Sequence, residues 1–111
     1  MENDIHFEVK DFHGRTILCK ESRWMDHINK RHPMEGNEEE IIAALSHPSY
    51  GIRYIDRNYP NRRIYYRWDV ARDYLTRVVV EFENEDGEGI RLIITSFQPT
   101  QVRRGDIPEL K

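Results

Sequence analysis

The chain has 111 residues, 38% hydrophobic and 33% charged, with a formal net charge of −3. That length and composition suit one compact domain with a modest core and exclude a disordered chain. No apolar run approaches the roughly 20 residues of a membrane-spanning helix, and the lone Cys19 excludes an internal disulfide framework or a cysteine metal cluster.

Ile5 to Lys10 and Arg15 to Lys20 read as two short strands, joined by the turn Asp11-Phe12-His13-Gly14. Ser22 is a plausible N-cap for a first helix that Pro33 stops. Within it, Trp24, His27, Ile28 and Arg31 share a face by i, i+3, i+4, i+7 spacing. A second helix is expected from Asn37 or Glu38 to Ser46, with Glu38, Glu39 and Glu40 at the positive end of its dipole and Ile41, Ile42 and Leu45 as its buried stripe. His47-Pro48-Ser49 ends it.

The rest reads as antiparallel sheet. Tyr50 to Asp56 is a strand, and Arg63 to Asp69 alternates, placing Ile64, Tyr66 and Trp68 in the core and Arg63, Tyr65, Arg67 and Asp69 on the opposite face. Tyr74 to Glu83 follows, then the hairpin turn Glu85-Asp86-Gly87-Glu88-Gly89, then an apolar strand from Ile90 to Phe97. The stretch from Gln98 to Lys111 reads as an irregular tail. The expected fold class is α+β: two N-terminal helices packed on a four-stranded antiparallel sheet, with a short N-terminal hairpin, in a single domain spanning 1–111.

Seven arginines, Arg53, Arg57, Arg62, Arg63, Arg67, Arg72 and Arg77, fall close together against only Asp56, Asp69 and Asp73. Arginine is the better planar partner for phosphate, although such a run also suits a solvated sheet face. His27 is the strongest acid–base candidate, since its imidazole changes charge near neutral pH; a helix histidine bonded to a neighbouring loop is the plainer alternative. Arg31 suits an anionic group or a charge developing in a transition state, or an ion pair at a helix end. His32 reads as a cation near that end, beside Pro33, or as an RNA contact. Arg63, Tyr65 and Arg67 in alternation suit a base stacked on the tyrosine with phosphate held between cations, or cross-strand pairs on an exposed face. Thr95 and Ser96 interrupt an apolar strand, so one of the two hydroxyls must face the helices.

There is no glycine-rich phosphate loop and no nucleophile elbow. His27 and His32, five apart, share a helical face too poorly to hold one zinc. Metal-free chemistry without a cofactor is therefore expected. The N-terminus Met1-Glu2-Asn3-Asp4 lacks a signal-peptide pattern, and a cytoplasmic location is the default expectation.

Taken together, Trp24-Met25-Asp26-His27-Ile28-Asn29-Lys30-Arg31-His32-Pro33, the helix ending at His47-Pro48, Arg63-Ile64-Tyr65-Tyr66-Arg67, Val78-Val79-Val80 and Ile93-Ile94-Thr95-Ser96-Phe97 resemble the phage-associated nuclease branch of the Barnase–EndoU–Colicin–RelE superfamily. The resemblance runs from about Asp11 to Gly105. It implies a small α+β fold and metal-independent RNA cleavage, in which the ribose 2′-hydroxyl attacks the adjacent phosphate. His27 would be the acid–base residue and Arg31 the phosphate partner, both catalytic, with Thr95 beside them. His32, Arg63, Tyr65 and Arg67 would line the RNA groove. Many members are toxins, which implies an RNA substrate such as tRNA and a cognate protein inhibitor as partners. The net acidity departs from a free RNA-degrading toxin. It keeps open a non-catalytic RNA- or protein-binding module of the same fold.

Overall fold

The computed structural model describes residues 4–25, 37–71, 73–84 and 89–109. In chain order the elements are β1 (Ile5–Lys10), β2 (Thr16–Lys20), α1 (Glu21–Arg23), α2 (Asn37–Ser46), a 3-10 turn (Ser49–Gly51), β3 (Tyr54–Asp56), β4 (Arg62–Asp69), β5 (Tyr74–Phe82), β6 (Arg91–Phe97) and β7 (Asp106–Pro108). The helix expected across Trp24 to Pro33, with His27, Arg31 and His32, lies outside the described residues apart from its first two positions. So does most of the turn Glu85 to Gly89, and so does Arg72.

The strands form one sheet of order β1-β2-β6-β5-β4-β3-β7. The expected four-stranded antiparallel sheet with two helices packed on it is therefore corrected: the sheet has seven strands and is mixed. The β2–β6 pairing is parallel, and the other pairings are antiparallel. Among the described residues only α2 is a helix of more than one turn. Strands β4, β5 and β6 lie close to their expected positions, whereas the strand expected from Tyr50 to Asp56 is shortened to Tyr54–Asp56 because Tyr50 belongs to the 3-10 turn, and two additions widen the meander. The N-terminal hairpin buries Ile17 and Cys19 completely, so it must lie against other apolar surface, and it docks on β6 where Leu18 pairs with Leu92. The tail expected to be irregular supplies β7, paired with β3 from Asp56↔Asp106 to Tyr54↔Pro108. A proline is tolerated there because β7 is an edge strand.

Ser22 does not cap the first helix. The N-cap is Lys20, without a side-chain bond, and Ser22 lies within α1. His6 ties β1 to both helices, its Nδ1 2.8 Å from Glu21 Oε2 and its Nε2 2.6 Å from Glu38 Oε1, with its ring stacked on Trp24 at 4.7 Å. The buried stripe of α2 is Ile41, Ala44 and Leu45, each fully buried, rather than Ile41, Ile42 and Leu45. Burying each large aliphatic chain contributes about 1.5–3 kcal/mol. The helix ends where His47 N–H bonds to Ala43 C=O, immediately before Pro48.

Both faces of the sheet are covered. On the α2 side Tyr65, Val78, Val80, Phe82 and Ile93 pack with Ile17, Cys19 and the helix stripe. On the other side Ile64, Tyr66, Leu75 and Val79 form a second cluster. Ile64 and Tyr66 of β4 are buried as expected, but Tyr65, expected to face solvent, is fully buried beneath α2, and Trp68, expected in the core, is partly exposed. The second face is closed by the C-terminal segment. Arg103 N–H bonds to Tyr66 Oη at 2.9 Å, and Asp106 pairs with Arg77.

Candidate functional site

Beyond the end of the apolar cluster, the α2 side of the sheet becomes polar. Register aligns Arg67 with Thr76 and Asp69 with Tyr74, and alternation brings these four side chains to the face that carries Tyr65. With Glu39, Glu40 and Ala43 from α2 they line a cleft of about 200 Å³. Glu40 accepts from the Tyr74 hydroxyl and from Gln98 Nε2, the latter at 3.3 Å. Arg67 Nη1 donates to the His47 carbonyl at 2.6 Å. Among the described residues Arg67 has no carboxylate partner and Glu39 makes no hydrogen bond, so a cation and a carboxylate remain available in one cleft.

The sequence-expected residues separate. Arg67 lines this cleft. Tyr65 does not face solvent. Its hydroxyl donates to Asp11 Oδ2 at 2.7 Å and accepts from Arg53 Nη1 at 3.4 Å. Burial, with Asp11 close by, pushes its phenol well above the usual range. Arg63 is withdrawn likewise: Nε bonds to Glu109 Oε2 at 2.9 Å and Nη1 to the Pro60 carbonyl at 2.7 Å. A base stacked on Tyr65 with phosphate at Arg63 is not available in this arrangement, because both groups are spent on Asp11, Arg53 and Glu109. The cause is Asp11, whose Oδ1 caps its own turn by accepting from His13 N–H and Arg15 N–H, leaving Oδ2 aimed at the sheet.

Thr95 is also relocated. It pairs with Val79, a member of the cluster on the far face, whereas Ser96 pairs with Val78 beneath α2. The hydroxyl that faces the helix is thus Ser96. Its Oγ is fully buried without a hydrogen-bond partner, a state that costs about 1–3 kcal/mol. A register shift between Val79 and Val80, opposite Thr95 and Ile93, sets this phase. His27, Arg31 and His32 lie outside the described residues, in the stretch that leads in sequence into α2.

Sequence reasoning missed Glu39, Glu40, Tyr74 and Thr76 as lining residues, and it left open which of Thr95 and Ser96 faces the helix. The acids had been accounted for by the helix dipole, and the alternation of Tyr74 and Thr76 with Val78 was the available signal for the strand pair. Among the described residues no three His, Cys, Asp or Glu side chains gather to hold a metal ion, and no helix is long and apolar enough to cross a membrane. No family model, curated protein or solved structure matches this chain.

Proposed function

We propose that the protein is a small metal-independent ribonuclease that works in the polar cleft between α2 and β4–β5, consistent with the resemblance to phage-associated nucleases of the Barnase–EndoU–Colicin–RelE superfamily. The observation that carries this reading is Arg67, a guanidinium without a carboxylate partner among the described residues, set beside the unbonded carboxylate of Glu39. Cleavage of RNA by its own 2′-hydroxyl needs a base, a cation and an acid. In this reading Glu39 accepts the 2′-hydroxyl proton as the 2′-oxygen bonds to phosphorus. Arg67 neutralises the charge that builds on the phosphoryl oxygens. The bond from phosphorus to the 5′-oxygen breaks, and that oxygen takes a proton from a general acid, the role the resemblance gives to His27. The product is a 2′,3′-cyclic phosphate.

The test is incubation of the pure protein with total RNA and tRNA in excess chelator, beside His27→Ala and Arg67→Ala variants of unchanged circular dichroism. Chelator-resistant cleavage that leaves cyclic phosphate ends, reduced at least about 100-fold in each variant, is expected. Absence of cleavage, or equal cleavage by His27→Ala, overturns the proposal. Growth arrest on expression, relieved in His27→Ala, would accompany a toxin with a cognate inhibitor.

One observation favours the second reading, a non-catalytic binding module: three carboxylates, Glu39, Glu40 and Asp69, share the cleft with a single arginine. That reading expects RNA or protein binding that His27→Ala leaves intact.

A further inference from the structure

On the face opposite the cleft lies a second groove of about 330 Å³, walled by Tyr50, Tyr54, Tyr66, Trp68, Leu75 and Val102. Its rings are unusually open. Tyr50 is 94% exposed and Trp68 is 42% exposed. Tyr50 is held there by a left-handed backbone (φ 64°), followed by Gly51 at φ 61°. The segment that brings Val102 to the groove continues into Arg103 and Arg104, both exposed and without a carboxylate partner among the described residues. Arg103 is fixed to the groove through its backbone N–H on Tyr66 Oη.

The two depressions lie on opposite faces of the sheet, either side of the end of β4 that carries Arg67 and Trp68. β3 pairs only with Ile64 and Arg63, so the Arg67 end of β4 has no strand beside it there. The segment after α2 runs along that edge instead. Its His47 carbonyl takes Arg67 Nη1 on one face, and its Ser49 Oγ takes the Trp68 N–H at 2.9 Å. Arg67 and Trp68 are consecutive, so their side chains leave opposite faces of the sheet at one point.

We propose that this groove binds an unpaired nucleobase of single-stranded RNA, stacked against Tyr50 and Trp68, while Arg103 and Arg104 hold its phosphates. The inference rests on the ribonuclease reading and names its substrate class: a flexible single strand that bends over the β4 edge, with one phosphate at Arg67 and a neighbouring base in the aromatic groove. Aromatic platforms with cationic rims suit such strands, because every base offers a π face. The paired and stacked bases of a duplex offer no free ring face to such a groove.

The experiment titrates a fluorescently labelled, 2′-O-methylated hexauridylate, which cannot be cleaved, into the full chain and reads anisotropy at several salt concentrations. In parallel the unmodified oligonucleotide is assayed for cleavage. Tyr50→Ala should weaken binding about tenfold without disturbing the fold, since that ring is nearly all in solvent. Trp68→Ala should do the same, and Arg104→Ala should lower the salt slope by about one. His27→Ala should bind as the wild type does. Wild-type affinity in both Tyr50→Ala and Trp68→Ala, with cleavage intact, overturns the groove and leaves the ribonuclease reading standing. Binding that Tyr50→Ala weakens, without cleavage of the unmodified strand, supports the groove and removes the ribonuclease. A groove that ignores RNA but doubles the mass of the chain by light scattering, reversibly on Trp68→Ala, overturns it in favour of a protein partner.

Discussion

The Arg77 guanidinium and the Asp106 carboxylate meet through two parallel bonds, Nε to Oδ2 at 2.9 Å and Nη2 to Oδ1 at 3.0 Å, both groups being buried. Tyr66 adds its hydroxyl to the same Oδ2 at 2.5 Å, and burial pushes that phenol up to about 12, so it remains a donor. The pair fastens the C-terminal segment over the second apolar cluster. Asp106→Ala leaves the Arg77 charge buried without its partner, which costs about 3–5 kcal/mol. Thermal denaturation should register a fall of more than about 10 °C. Replacing Arg77 and Asp106 together by Met and Leu should restore most of that loss.

Tyr65→Phe removes a single oxygen, yet Asp11 loses its donor at 2.7 Å in a site without water access. The expected cost is about 1–3 kcal/mol, read by urea denaturation. Because Tyr65 lies beneath α2 and not in the cleft, RNA affinity per folded molecule should not change. A loss of affinity as large as that of Arg67→Ala would restore Tyr65 to the substrate groove.

Glu109 holds Arg53 and Arg63 together, bonding Arg53 Nε and Arg63 Nε with its two oxygens. Burial alone would raise its pKa, but pairing with Arg53 and then Arg63 outweighs burial and keeps the carboxyl below its ordinary range. The linkage follows in sign. A depressed folded-state value contributes stability above the unfolded value of roughly 4.3 and loses it as pH falls through the folded one. Glu109→Gln should therefore be less stable than the wild type at pH 7, and the gap in melting temperature should close as the solution is acidified below about pH 4.

Tyr50 occupies the left-handed region at φ 64° with its ring in solvent. A side chain there costs roughly 1–2 kcal/mol, a penalty asparagine largely avoids. Tyr50→Asn should raise stability by about 0.5–1 kcal/mol in chemical denaturation while weakening hexauridylate binding. Stability gained at the expense of binding is the pattern expected where backbone strain serves recognition.

The central meander was legible because period-two alternation and turn residues act locally. β4 is found at Arg62–Asp69 where Arg63 to Asp69 was read, and β5 and β6 lie as close to their expected positions. What could not be read was which face the helix takes. Alternation separates Tyr65 from Tyr66 but does not say which partner each meets, and here both find one, α2 and the C-terminal segment. The docking of the hairpin on β6 and of β7 on β3 depends on contacts far apart in sequence, which leave no local period. The same non-local choice turned Thr95 to the far face and buried Ser96 beneath α2. Arg67 is half-buried in a polar cleft because it lies past the end of the apolar cluster beneath α2.

The order of the strands bears on how the molecule is made. Its middle three, β6, β5 and β4, follow one another closely along the chain, while the two margins are sealed by partners that are distant in sequence. On a ribosome, Leu18 emerges long before Leu92 exists to receive it, and β3 must wait for residues 106–108. α2 can cover the apolar side of the first hairpin early, but the β2 edge stays unpaired until residues 91–97 emerge, so the nascent chain depends on shielding by its surroundings until then.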